Sequence, residues 1–300
     1  MRRSESGRGI AYMLLAMFLM AAVDAQAKYL SQSLPVLQVA WFRQLGLFLG
    51  VLGIIAVHGV GVLATRRPAL HALRGTLAVG SSILFIVAIT YVPLVDAVAV
   101  SFVAPLVVTV LGALVLREPV GIRRWLAVIV GFAGAMIVLR PGLGVVHPAA
   151  LLVLAAAVLF AARQVLSRVL SDTEGILTTL AYTAITGTAL LTLSLPFVWQ
   201  TPQTWTQIAL LASMGALAGI GELFVIKALE VAQAVVVAPV QYTMLLWSTG
   251  YGYLLFADLP DLWTLVGSLV VVASGIYTFQ RERSLAAAQA APPSRAPAGR

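Results

Sequence analysis

The sequence predicts an all-α integral membrane protein of about ten transmembrane helices in two inverted five-helix repeats. Three observations carry that reading: an apolar composition, evenly spaced long apolar runs, and self-similarity at an offset of 140 residues. Of 300 residues, 61% are hydrophobic and only 10% charged, with a mean hydropathy of +0.99. A soluble domain carries about 25% charged residues. So little polar surface cannot shield this much apolar matter from water, and the solvent must be a lipid bilayer.

A bilayer core about 30 Å thick needs about 20 apolar residues at a rise of about 1.5 Å each. Such runs fall near 10–30, 36–57, 73–91, 95–116, 123–140, 149–169, 176–198, 206–229, 234–256 and 262–280. Loop signals break them at Ser33-Leu34-Pro35, Arg66-Arg67-Pro68, Arg117-Glu118-Pro119, Arg140-Pro141-Gly142 and Thr201-Pro202. The weakest break, Val92-Pro93-Leu94, leaves counts of nine or eleven open.

The net charge of +8 belongs to membrane topology rather than to nucleic-acid binding, because no basic groove interleaves with aromatics. With the N-terminus inside, cytoplasmic segments hold 15 of the 19 Lys and Arg residues, including Arg66, Arg67, Arg74, Arg117, Arg123, Arg124 and Arg168. That bias places both termini on the cytoplasmic side of the membrane. Arg2-Arg3, the apolar stretch and Ala25-Gln26-Ala27 imitate a cleaved secretory signal, but the first helix has a counterpart later in the chain. The organisation expected is a cytoplasmic N-terminal tail at 1–8, a first repeat at 9–140, a connecting loop at 141–148, a second repeat at 149–280 and a disordered cytoplasmic tail at 281–300. No cysteine is present, and His58, His71 and His147 are scattered near predicted loops. Neither a metal centre nor a bound cofactor is expected.

At an offset of 140, Ala16, Leu19, Ala21 and Ala22 meet Ala156, Leu159, Ala161 and Ala162, Lys28 meets Arg168, and Gly112 meets Gly252. One residue later, Pro119 meets Pro260 and Gly134 meets Gly275. Five spans per half is an odd number, so the second half starts on the opposite side of the membrane from the first. Inverted repeats of this kind place a site near the bilayer midplane and expose it to either side by rocking.

The order of Trp41-Phe42-Arg43, Phe102-Val103-Ala104-Pro105, Leu116-Arg117-Glu118-Pro119, Gly131, Gly134, Gln241-Tyr242, Phe256-Ala257-Asp258-Leu259-Pro260, Gly267 and Gly275 resembles the EamA-type exporters of the drug/metabolite transporter superfamily over residues 9 to 280. Asp258 stands where that pattern usually has Glu. The resemblance implies export of small metabolites, with amino-acid exporters as the nearest kin, and does not identify the substrate.

Ionisable groups inside a membrane cost about 2.5–3.5 kcal/mol at a helix centre, so each invites a functional question. Asp24 follows the Met13, Met17, Met20 face. It reads as a coupling or binding carboxylate, or as the interfacial end of a packing seam paired with Lys28. Arg43 and Gln44 lie about two turns into the second span. Arg43 is placed to hold a substrate carboxylate, to pair with Asp24 or to snorkel. Arg163 sits in the inner part of the sixth span with Gln164 and Ser167, where it either snorkels or meets substrate. Glu222, after the Gly215-Ala216-Leu217-Ala218-Gly219 motif, is a second candidate for proton coupling.

Pro105 and Pro239 each free a carbonyl four residues back, at Ser101 and Val235, and so mark hinges. Ser101, Gln241, Tyr242, Trp247 and Ser248 offer polar and aromatic cavity lining. Trp199, Trp205 and Trp263 read as interfacial belt residues, and Gly46-Leu47-Phe48-Leu49-Gly50 as close helix packing. A membrane enzyme would need a nucleophile–base or carboxylate–His cluster, which the spans lack. A channel would assemble its pore from several copies, whereas a fused inverted repeat is compatible with a working monomer carrying a small-molecule substrate through lipid.

Overall fold

The computed structural model describes residues 2–117, 120–140, 147–171, 173–232 and 234–290. The first half holds α1 (Arg2–Leu30), α2 (Val36–His58), α3 (Pro68–Tyr91), α4 (Leu94–Ser101), α5 (Ala104–Val115) and α6 (Ile122–Leu139). The second holds α7 (Ala150–Ser171), α8 (Ile176–Val198), α9 (Trp205–Val231), α10 (Ala234–Val237), α11 (Met244–Phe256) and α12 (Leu262–Ala290). Among the described residues nine stretches are long and apolar enough to cross a bilayer, with α4 and α5 counted together as Leu94–Val115. The tenth crossing is α10, a 3-10 segment at Ala238–Thr243, and α11. About ten helices therefore fits.

Contacts between loops sort the helix ends into two sets. At the far end, where α1 finishes, Gln38 and the Gln200 backbone exchange two hydrogen bonds of 2.8 and 2.9 Å, and Tyr91 stacks on His147 at 4.6 Å. At the near end, where α1 starts, Tyr182 donates to the Leu63 carbonyl at 3.2 Å, and the backbone N–H of Arg66 donates to Glu174 at 3.3 Å. The first helix α1 begins at the near end, while its counterpart α7 begins beside His147 at the far end. The halves are inverted.

The packing obeys the same offset. A Cβ on Gly46 would collide with the Gly215 carbonyl, and one on Gly75 would lie 2.6 Å from Thr186 Cβ. Shifting Gly75 forward and Thr186 back by 140 gives Gly215 and Gly46, so one helix contact appears twice in mirrored order. Gly221 against Leu19 and Gly80 against Leu159 repeat the correspondence within one residue.

Three expectations need correction. The third span starts at Pro68, in the first turn of α3, not near 73. Arg74 and His71, read as loop residues, are therefore buried. The helix α12 runs on through Ala290, so 281–290 is helical; 291–300, Glu118-Pro119 and 141–146 lie outside the described residues. Finally, Gly46 is a close-packing position, whereas Gly50 faces open space. Gly46→Leu is accordingly expected to push α2 off α9 and cost at least about 1–3 kcal/mol by overpacking, while Gly50→Leu leaves stability unchanged. Thermal unfolding of the two variants in detergent checks this; equal melting temperatures would refute it.

Candidate functional site

Both proline positions coincide with departures from α-helical geometry. The helix stops at Ser101, turns through Phe102 and Val103, and resumes as α5 one residue before Pro105. Ser101 folds its hydroxyl back onto the Val98 carbonyl at 2.7 Å. Pro239 sits inside the 3-10 segment, whose last turn leads into α11. The two breaks face each other: the Phe102 and Tyr242 rings lie 4.7 Å apart. Together with Pro105, Pro239, Gln241, Gly275 and Phe279 they line a cleft of about 90 Å³. Gly275 gives the Tyr242 hydroxyl its room here, since a Cβ would strike it where it stands. Breaks of this kind expose backbone carbonyls only where a cavity or protein receives them.

The charged candidates form two further groups. Asp24, 2% exposed, pairs with Arg43 at 3.0 Å. The alternative pairing with Lys28 is not formed. Lys28 reaches Asp258 at 2.9 Å and the Val92 carbonyl at 2.9 Å, with its ammonium 4.8 Å from the Phe256 ring centroid. Nearby, Arg140 pairs with Asp261 at 2.7 Å, and Thr264 donates to Asp96 at 2.9 Å. Burial pushes the Asp261 carboxyl up, but the hydrogen bond from the Thr264 backbone N–H and the ion pair with Arg140 outweigh it and hold the carboxyl below its usual value.

The third group runs from α2 across α3 and α8 to α7 and α9. Gln44 donates to the Thr183 carbonyl at 3.4 Å. Arg74 donates to Ser167 at 2.7 Å and to the Thr183 hydroxyl. Arg163 stacks on the Phe160 ring at 4.5 Å, within electrostatic reach of Glu222 on α9. Arg74 belongs to this group and escaped the sequence reading because it was counted as a loop charge.

Trp247 and Ser248 lie apart from the cleft. Trp247 packs edge-on to Phe18 at 5.2 Å beside the Met13 and Met17 seam. Ser248 is fully buried, and its hydroxyl has no partner. The methionine face is thus a packing seam: Met13 and Met17 join Ala228 and Val237 in one cluster, and Met20 approaches Gly221. Trp199, Trp205 and Trp263 are exposed, as a belt requires.

Inverted halves, paired helix breaks and charged groups inside the bundle define a polytopic membrane protein of the transporter class. The chain belongs to the EamA-like transporter family, whose profile matches residues 7–140 and again 147–279. It is 31% identical to an S-adenosylmethionine uptake transporter of Rickettsia felis, across 92% of this chain and 93% of that one. It is 32% identical to a riboflavin transporter of Vibrio cholerae, across 93% and 97%, and 26% identical to a pseudopaline exporter of Pseudomonas aeruginosa, across 89% and 94%. A solved crystal structure superposes with a TM-score of 0.62 at 17% identity, covering 95% of this chain and 99% of the other, which speaks to the fold alone.

Proposed function

We propose that the protein carries a small amphipathic metabolite, an amino acid or a derivative retaining the amino-acid group, across the bacterial inner membrane by alternating access. In this reading the repeats at 9–140 and 149–280 rock about the breaks at Pro105 and Pro239, both termini are cytoplasmic, and the physiological direction is export. The observation that supports it best is the meeting of the two interrupted spans, one from each inverted half, over a shared apolar cleft with Gln241 and Tyr242 as its polar anchors. Mostly apolar walls with a few polar groups suit an amphipathic ligand. The family and the named solutes of the relatives point to transport of small molecules rather than to enzymatic turnover. S-adenosylmethionine, the solute named for one relative, is itself an amino-acid derivative. The concentration of Lys and Arg at the near end supports the orientation.

Counterflow in proteoliposomes loaded with single amino acids, S-adenosylmethionine or riboflavin tests the reading. Saturable exchange of an amino acid or of S-adenosylmethionine, absent from protein-free vesicles, is the expected result. Exchange of none of them would remove the substrate assignment. Asp24 and Glu222 are the proposed coupling carboxylates.

A further inference from the structure

Resting on the transport reading, we infer that Arg74 and Arg163 form a receptor for a carboxylate of the transported solute, with Glu222 as the competing negative charge nearby. Arg74 is buried within α3, yet among the described residues its hydrogen bonds all go to neutral acceptors: Ser167, Thr183 and the Thr179 carbonyl. Arg163 spends the flat face of its guanidinium on Phe160. Its Nε has neither a partner nor access to solvent. Among the described residues neither guanidinium has a carboxylate at ion-pairing distance.

Among the described residues Glu222 is the one acid within electrostatic reach of both. Two guanidiniums under the influence of one carboxylate leave one positive charge uncompensated inside the bundle. Asp24 does not offset it, because Asp24 is already neutralised by Arg43. An uncompensated charge at membrane depth is costly, and the neutral acceptors of Arg74 and the Phe160 ring under Arg163 do not cancel it. A monoanion does. A carboxylate matches the planar guanidinium fork, whereas a phosphate dianion would overshoot the charge by one. Riboflavin, which has no carboxylate, would gain nothing from this site.

The full chain in nanodiscs, probed by thermal stabilisation with L-methionine, L-methioninamide, S-adenosylmethionine, its decarboxylated analogue and riboflavin, tests the assignment. A carboxylate-bearing probe should protect the wild type at concentrations about tenfold or more below those needed by its carboxylate-free partner. Arg163→Gln should erase that preference, and Arg163→Lys, which keeps the charge without the fork, should retain part of it. Glu222→Gln should strengthen carboxylate binding, an outcome that a purely structural role for the cluster does not give. Protection by riboflavin alone would overturn the carboxylate receptor while leaving the transporter reading standing. Equal protection by acid and amide would overturn it too, as would stabilisation that follows phosphatidylglycerol content instead of solute. Carboxylate-selective protection without counterflow would support the receptor and count against the transport reading.

Discussion

Arg43→Gln is expected to destabilise the protein by about 3–5 kcal/mol, the usual penalty for breaking a buried ion pair from one side. Asp24 is 2% exposed, and Arg43 lies at 3.0 Å from it. Removing the guanidinium strands a carboxylate that no water reaches. The reverse change is milder. The Arg43 side chain retains 24% exposure, and a long arginine stem lets its head group move toward the surface, so Asp24→Asn should cost less than Arg43→Gln. The double variant removes both charges and should recover most of the loss, because the desolvation penalty disappears with the attraction. Thermal unfolding of the four proteins as a double-mutant cycle supplies the coupling energy. Single variants as stable as the wild type would show that the pair contributes nothing to the bundle.

The span pattern was legible because lipid imposes it: a helix must be long and apolar, and nearly every boundary fell where a proline or arginine interrupts an apolar run. The inversion was legible for a simpler reason, an odd number of crossings per repeat. Arg74 was misassigned because counting positive charges places a residue by its neighbours, Arg66 and Arg67. Pro68 carries the missed signal, since proline favours the first turn of a helix and would have put Arg74 inside α3. Gly46 and Gly50 are the same motif on paper. Only the rotation of α2 against α9 decides which glycine meets Gly215. Gln241 and Ser248, seven residues apart, would share a face of a helix with 3.6 residues per turn, but the segment around Gln241 is a 3-10 helix at about 3.0 per turn. The structure leaves Gln241 in the cleft and Ser248 in the core.

The charges at the far end were individually visible, but their partners were not. Lys28 and Asp258 are 230 residues apart, and nothing local in either segment names the other. What joins them is backbone geometry. The left-handed Ala257, at φ 56°, caps α11 and lets the Asp258 N–H return to the Gly252 carbonyl at 3.1 Å, which fixes the strand of chain that presents the Asp258 carboxylate to α1.

Lys28→Met should therefore open the far end. Lys28 ties the first half to the second through Asp258 and braces the α3–α4 turn through the Val92 carbonyl. Arg140 and Asp261 make a second tie between the halves at the same end. If the repeats rock, the far end can separate only when these contacts break, so they stabilise the state closed there. Hydrogen bonds to charged groups are worth about 1.5–3 kcal/mol, enough to shift a two-state equilibrium about 10- to 150-fold. The natural absence of cysteine gives a clean background for measuring this. Ala97 lies 1% exposed in α4, one turn below the far end, and Ala97→Cys should react slowly with a membrane-impermeant thiol reagent. Adding Lys28→Met or Asp258→Asn should accelerate labelling at least about tenfold. Lys227→Met, which removes only the exposed pair with Glu230 at the near end, should leave the rate unchanged. Labelling at the parental rate in Lys28→Met would mean that the far end is held shut by apolar packing around Leu94 and Val98, and that the ion pair merely decorates it.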